Sequence, residues 1–193
     1  MILESMFSCR MTILGDKLQT VDDKSRDVIK FLPKIFKEQM RVIELNRSYR
    51  NTLEIAEYAN QWADTGHVTC LERHGKSVEI FDESEGKEAL ERILESVSLG
   101  TDKYETAAIL TMTEAEAKFV YRYLKTKRED VFYIDRNSSA FKKGLTVTTY
   151  YMAKGLEFDQ VFVYGGKKNH PFFSQFRYIG ATRALHELYI CEK

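Results

Sequence analysis

Two predicted strands and the polar segment between them lie in residues 145–165, LTVTTYYMAKGLEFDQVFVYG. The second strand, predicted over 160–165, is apolar almost throughout, which is typical of a parallel strand covered by helices on both faces. Packing alone gives no reason to place Lys154, Gly155 and Glu157 directly before such a strand. This stretch therefore predicts a buried sheet with a polar site beside it.

The rest of the chain alternates between short apolar runs and amphipathic stretches. The apolar runs predict strands at residues 11–14, 41–45, 77–82, 106–111, 130–135, 145–150, 160–165 and 187–191. Apolar residues at helical spacing predict helices at residues 24–40, 51–63, 84–97, 113–127 and 172–185. Thr113 and Glu116 have the spacing of a capping box. This alternation predicts an α/β fold, with a mostly parallel sheet and helices on both of its faces.

A chain of 193 residues is long enough for one α/β domain together with a piece of a neighbouring domain. We predict a boundary near residue 40. Residues 1–40 contain a single predicted strand and helix, and we interpret them as the remnant of a first domain. Residues 41–193 contain the remaining strands and are predicted to form a complete second domain.

The composition excludes several classes of protein. Lysine plus arginine equals aspartate plus glutamate, so the net charge is zero and binding of DNA by bulk charge is not expected. Cys9, Cys70 and Cys191 are too far apart in the sequence for a disulfide framework or a CxxC site. His67, Cys70 and His74 lack an evident fourth ligand, so no metal is predicted. No membrane span or signal peptide is evident, and the expected location is the cytoplasm.

Four polar clusters follow or join predicted strands, and we expect them at the carboxyl ends of the sheet, where ligands bind. Gln19 is placed to reach a terminal phosphate or an attacking water, and the alternative is a polar turn. Arg50, at the start of a helix, offers a planar fork to phosphate oxygens, and the alternative is a surface arginine. Arg183, in an apolar helix, projects from small neighbours, and the alternative is an internal salt bridge.

The fourth cluster lies in the opening stretch. Gly155 permits close approach of a ligand to the backbone. Glu157 can hold a ribose hydroxyl, and Lys154 can hold a backbone phosphate of a nucleic acid. The combination is more specific than KGxE alone, because TTY precedes it and an apolar strand follows it.

Taken in sequence order, the clusters resemble motifs III to VI of superfamily 1 helicases of the UvrD/Rep type. The similar segments are GDKLQT (15–20), LNRSYRNTLEIAEYAN (45–60), TTYYMAKGLEFDQVFV (148–163) and YIGATRA (178–184). The run TRALHEL (182–188) favours the helicase IV branch. The resemblance spans residues 11 to 191. It implies the C-terminal RecA-like domain, 2A, which is a three-layer α/β sandwich.

The resemblance also implies the cofactors, the partners and the roles of individual residues. ATP and Mg²⁺ are expected to bind an N-terminal RecA-like domain of the same protein, and single-stranded DNA is the expected substrate. As catalytic residues the resemblance implies the arginine fingers Arg50 and Arg183, and Gln19. It implies nucleotide-binding roles, with Glu157 near the ribose, for Arg50, Gly155, Glu157 and Arg183. It implies contacts with single-stranded DNA for Thr149 and Lys154.

The chain departs from the family pattern in several places. It contains no GxxxxGK[ST] motif, and Asp82-Glu83 is followed by Ser-Glu rather than by the expected x-Gln. Tyr151 replaces a common histidine of motif V. The chain alone is therefore not expected to hydrolyse ATP. Two alternatives stay open, a helicase-like module that binds a transcription complex containing RNA polymerase, and a plain α/β domain with a coincidental arginine pattern.

Overall fold

A computed structural model of the chain describes residues 12–15, 32–34, 41–45, 47–63, 69–70, 72–83, 85–100, 103–138 and 142–192. The chain divides into two units, Met1–Leu45 and Asn46–Lys193. In the first unit, residues 32–34 are helical, while residues 12–15 and 41–45 have no regular structure.

The strand predicted at 41–45 is wrong, and so is the described part of the strand predicted at 11–14. In both segments the apolar side chains are exposed. An apolar run becomes a strand only where a neighbouring strand pairs with it, and neither segment has such a partner among the described residues. Gln19 and most of the predicted helix 24–40 lie outside the described residues.

The second unit contains a six-stranded sheet in which every neighbouring pair is parallel, in the order β3-β8-β7-β4-β6-β5. Its strands are β3 (Glu79–Phe81), β4 (Thr106–Thr111), β5 (Val131–Tyr133), β6 (Gly144–Thr149), β7 (Phe158–Tyr164) and β8 (Ala184–Cys191). A separate parallel pair, which the sequence did not predict, consists of β1 (Arg47–Ser48) and β2 (Thr69–Cys70).

Two of the four described helices of this unit begin at a residue whose side chain caps the helix. They are α1 (Leu53–Asn60), α2 (Lys87–Ser96), α3 (Glu114–Lys125) and α4 (Phe173–Thr182). Thr52 caps α1, where its side chain accepts a hydrogen bond from the Ile55 N–H. The predicted capping box of Thr113 and Glu116 is confirmed at the start of α3. None of the described helices has the length and apolar character needed to span a lipid bilayer.

Helices cover both faces of the sheet. Side chains alternate between the faces along each strand, so neighbouring residues of one strand contact different helices. Phe162 of β7 faces one side, in a core that includes Leu90 of α2 and Val120 of α3. Val163, the next residue, faces the other side and lies directly under Gly180 of α4. Helix α1 packs against α4 on that side. The predicted RecA-like three-layer α/β sandwich is therefore confirmed.

The register of the strands defines two edges of the sheet. At the carboxyl edge, Thr111 pairs with both Thr149 and Tyr164. At the amino edge, Phe158 pairs with Ala184. At about 3.3 Å per residue, the length of β4 separates the two edges by roughly 17 Å. Since β6 and β7 are parallel to their shared neighbour β4, residues 150–157 return the chain from the carboxyl edge to the amino edge.

Candidate functional site

Residues from three distant segments meet at the amino edge of the sheet. Glu157 directly precedes β7 and Arg183 directly precedes β8. The two segments are joined there, because the Phe158 N–H donates to the Arg183 carbonyl oxygen at 3.0 Å. Arg50 reaches the same place, since its Nε lies 2.7 Å from Glu157 Oε1. The structure thus brings together Arg50, Glu157 and Arg183 in one cluster, which we call the arginine site.

The predicted position of this cluster at the carboxyl ends of the strands is wrong. The strands begin earlier than the sequence pattern predicted, β7 at Phe158 rather than at residue 160 and β8 at Ala184 rather than at residue 187. With either start, Glu157 and Arg183 precede these strands and lie at their amino ends. Asp159 is polar and made the start of β7 difficult to predict. In the structure, its carboxylate accepts hydrogen bonds from the Thr106 N–H and hydroxyl.

Arg50 and Glu157 form an ion pair that stays in contact with water. Their side chains are 44% and 40% exposed, and pairs of this kind contribute about 0–1 kcal/mol to stability. A guanidinium bound through Nε still presents its two terminal nitrogens to another anion. The ring of Tyr49, 65% exposed, adjoins Arg50 in sequence and offers an accessible aromatic surface.

Arg183 is held differently from Arg50. The structure ends α4 at Thr182 and makes Arg183 the C-cap residue, so its predicted position inside the helix is wrong. Its side chain is buried, with Nη2 donating to Thr182 Oγ1 at 3.2 Å and Nη1 lying 3.5 Å from the Leu156 carbonyl oxygen. Both contacts help to orient the guanidinium.

Gly155 is required by its backbone conformation. Its φ of +83° lies in the left-handed region, which favours glycine. A Cβ atom placed there would meet no other atom within 4 Å. The space beside Gly155 is therefore open, and its predicted role in nucleotide binding stays a prediction.

The residues predicted to contact DNA lie outside the arginine site. Thr149 ends β6 at the carboxyl edge, and its side chain is buried. Its carbonyl oxygen accepts hydrogen bonds from the N–H groups of Met152 and Ala153. Lys154 follows in the connection 150–157 and is half-buried. A direct contact between the Thr149 hydroxyl and DNA would require that the hydroxyl become exposed, so both assignments stay predictions.

Two side chains that the sequence analysis did not identify connect the segments that carry Arg50 and Arg183. Asn51 is buried and donates from Nδ2 to the Ala184 carbonyl oxygen at 2.7 Å. Arg73 donates from Nη2 to the carbonyl oxygens of Arg50 and Leu185. Both side chains link segments that are more than a hundred residues apart, and no local pattern reveals such a link.

A neighbouring polar network has its hydrogen bonds satisfied internally. The Gln160 amide donates to Glu187, which also accepts from the hydroxyls of Tyr104 and Tyr189. Lys76 Nζ donates to the Tyr189 hydroxyl at 2.9 Å. Burial, together with the bond to Glu187, raises the pKa of Tyr189 to about 12. These groups support the sheet and are not free to bind a ligand.

The donor set of the arginine site fits an anionic phosphate better than a metal ion. Arg50 and Arg183 are cations, and the Glu157 carboxylate is already paired with Arg50. Within the part of the chain that the structure describes, no group of three or more His, Cys, Asp or Glu side chains is arranged to hold a metal ion. A Mg²⁺ ion that accompanies a nucleotide would therefore need ligands from elsewhere.

No protein-family model and no curated protein matches this chain. Among solved structures, the chain is similar to the C-terminal domain of a possible DNA helicase from Lactobacillus plantarum WCFS1. The TM-score is 0.57 at 23% sequence identity, over 75% of this chain and 86% of that chain. A weaker similarity, to the C-terminal domain of the DEAD-box protein Dbp5, has a TM-score of 0.42 at 16% identity, over 62% of this chain and 78% of that chain. At this identity, the first similarity establishes that the two domains share a fold, and that fold is RecA-like.

Proposed function

We propose that this chain is the second RecA-like motor domain of an ATP-dependent DNA helicase or translocase. In this proposal it supplies Arg50 and Arg183 to an ATP molecule held by a separate N-terminal RecA-like domain. The observation that carries the proposal is the convergence of Arg50, Glu157 and Arg183 at the amino edge of the sheet. Assignment to the UvrD/Rep type or to the helicase IV branch is part of the proposal and rests on the motif resemblance.

The chemistry of phosphoryl transfer explains why two arginines would be placed together. Negative charge spreads over the transferred phosphoryl group in the transition state, and positioned cations stabilise that charge. In our proposal the exposed Arg50 exchanges Glu157 for a phosphate oxygen or binds phosphate through its terminal nitrogens. Arg183 is buried, so in our proposal its guanidinium reaches the phosphate only when domain closure exposes it.

The groups that hold the phosphates and Mg²⁺ must come from the N-terminal RecA-like domain in this proposal. This chain has no GxxxxGK[ST] motif to hold the phosphates, and its arginine site lacks ligands for Mg²⁺. We therefore assign ATP and Mg²⁺ binding to the partner domain, with Gln19 as an additional contact. Because the arginines act only when the two domains close, ATP hydrolysis is coupled to domain motion.

The proposed DNA contact lies at the other end of the connection 150–157. Thr149 precedes this connection at the carboxyl edge, and Glu157 ends it at the amino edge. In our proposal Lys154 contacts the phosphates of single-stranded DNA, and the same segment leads directly to the partner of Arg50. One short segment thus joins the proposed DNA contact to the proposed nucleotide contact.

The test is DNA-stimulated ATP turnover by the full-length protein. Arg50→Ala is the cleaner variant, because Arg50 is exposed and Arg183 is buried. We expect turnover to fall by about 10³–10⁵-fold, the effect of losing an arginine finger, while the melting temperature stays close to that of the wild type. Arg183→Lys, which keeps the charge and loses the planar fork, should also lower turnover.

The matched control is Arg122→Ala. Arg122 is an exposed arginine on α3 that donates to the carbonyl oxygen of Lys118, and it lies outside the arginine site. Its replacement should leave turnover unchanged. Wild-type turnover by both Arg50→Ala and Arg183→Lys would show that these residues do not act on the nucleotide.

A further inference from the structure

We propose that Arg73 is a positioning residue for the arginine site, an inference that rests on the proposed function. One terminal nitrogen of Arg73 donates to the carbonyl oxygen of Arg50 and to that of Leu185. Leu185 lies two residues after Arg183. A single planar group therefore connects the two segments that carry the arginines.

The Asn51 side chain makes a second connection beside the first one. Its Nδ2 donates to the Ala184 carbonyl oxygen at 2.7 Å. Arg73 and Asn51 thus bond to consecutive carbonyl oxygens, those of Leu185 and Ala184, from the segment that carries Arg50. Two adjacent bonds restrict rotation between the segments more than one bond would, so the distance between the backbones of Arg50 and Arg183 is defined.

Arg73 is itself held by the start of α1. Its carbonyl oxygen accepts from the Leu53 N–H at 2.9 Å. The next two residues bind Glu54, with His74 Nδ1 at 3.1 Å from Oε1 and the Gly75 N–H at 2.9 Å from Oε2. The Gly75 backbone approaches Thr52 so closely that a Cβ atom at Gly75 would lie 2.5 Å from Thr52 Cγ2. Arg73 therefore acts from an anchored segment.

The consequence concerns the aim of Arg50 at the phosphate. Arg73 bonds to the backbone carbonyl of Arg50 itself, so it fixes the point from which the Arg50 side chain extends. Reacting groups must be held to about 0.5 Å, and a displacement of about 1 Å costs on the order of 10²-fold in rate. Arg73 touches no reacting atom in this arrangement and acts only through Arg50.

A double-mutant cycle on ATP turnover by the full-length protein tests this role. Arg73→Ala is expected to lower kcat by about 10–100-fold with little change in the KM for ATP, because it misplaces a group that acts in the transition state. In the Arg50→Ala background, Arg73→Ala should cause no further loss. Arg73→Lys retains donors for the same carbonyl oxygens and should recover part of the turnover, and Arg122→Ala serves as the control.

The outcomes separate this inference from the proposed function. If Arg50→Ala lowers turnover while Arg73→Ala leaves kcat at the wild-type value, the positioning role is overturned and the proposed function stands. Losses that multiply in the double variant would also overturn it, because Arg73 would then act independently of Arg50. If Arg50→Ala itself has no effect, both proposals fail.

Discussion

Two arginine–glutamate pairs lie at opposite edges of the same sheet and differ in their exposure to water. At the amino edge, Arg50 Nε lies 2.7 Å from Glu157 Oε1, and both side chains are substantially exposed. At the carboxyl edge, Arg177 Nη2 lies 3.5 Å from Glu192 Oε2, and the Arg177 side chain is only 1% exposed. Arg50 can therefore exchange its partner for a ligand in the folded protein, whereas Arg177 is enclosed.

The surroundings of Arg177 explain its different role. Its guanidinium carbon lies 4.8 Å from the ring centroid of Phe173 and 5.8 Å from that of Phe176. The Glu192 carboxylate has a second partner, Lys168, at 2.7 Å. Exposure therefore separates Arg50, whose partner a ligand can reach, from Arg177, which fills the interior, although both lie in or beside sequence motifs.

The largest effect on stability is expected at the carboxyl edge. Arg177→Ala should lower the free energy of unfolding by about 3 kcal/mol, because truncation of a buried side chain leaves a cavity. Arg177→Met should change it by less than about 1.5 kcal/mol, since methionine fills similar volume and Glu192 keeps Lys168 as its partner. Urea denaturation of both variants measures the difference. An equally large loss in Arg177→Met would show that the buried charge, rather than packing, stabilises this edge.

A smaller effect on stability is expected where α4, whose C-cap residue is Arg183, packs against β7. A Cβ atom at Gly180 would lie 2.8 Å from Val163 Cγ2, so Gly180→Ala should lower the free energy of unfolding by about 1–3 kcal/mol. The double variant Gly180→Ala with Val163→Ala separates this clash from other effects, because it removes the colliding methyl groups. Denaturation curves should show that the cost of Gly180→Ala is smaller in the Val163→Ala background. An equal cost in both backgrounds would contradict the close contact between α4 and β7.

At the amino edge, the same kind of measurement should show little change. Arg50→Ala is expected to lower the free energy of unfolding by less than about 1 kcal/mol, since an exposed ion pair is screened by water. The loss should be smaller than that caused by Arg177→Ala at the opposite edge. A loss as large as that of Arg177→Ala would mean that Arg50 is a structural residue and is not available to a ligand.

The smallest effect concerns pH at the start of α1. Hydrogen bonds, led by that from its own backbone N–H, lower the pKa of Glu54 from 4.5 to about 2. A carboxyl group with a lowered pKa stabilises the fold above its unfolded value, and this contribution is lost as the pH falls from 4.5 towards 2. Glu54→Gln should therefore lower the melting temperature near pH 6. Between pH 4.5 and pH 2, the melting temperature of this variant should fall less than that of the wild type. Parallel acid sensitivity of the two proteins would contradict the pKa of Glu54.

Much of the sheet could be predicted from the sequence, because most of its strands carry a local apolar pattern. The strand predicted at 106–111 matches β4, Thr106–Thr111. This strand lies inside the sheet, so apolar side chains are buried on both of its faces. Residues 41–45 have a similar apolar pattern and form no strand. Pairing with a neighbour decides between these outcomes, and a local pattern does not contain that information.

The candidate site could be predicted only in part. The types and order of Arg50, Glu157 and Arg183 identified them as candidates, but their edge of the sheet was predicted wrongly. Glu157 and Arg183 precede β7 and β8 and so lie at the amino ends of these strands, whereas the prediction assigned the clusters to the carboxyl ends of strands. Arg73 gave no signal, because its two carbonyl partners come together only in the folded chain.

We propose that Arg50 reaches the terminal phosphate of ATP held by another domain. The most direct measurement is a crystal structure of the full-length protein with ADP, Mg²⁺ and aluminium fluoride, which mimics the transferred phosphoryl group. We expect a hydrogen bond of about 2.7–3.1 Å between the Arg50 guanidinium and the fluoride mimic. A structure in which Arg50 stays bound to Glu157 and contacts no part of the nucleotide or its mimic would contradict it.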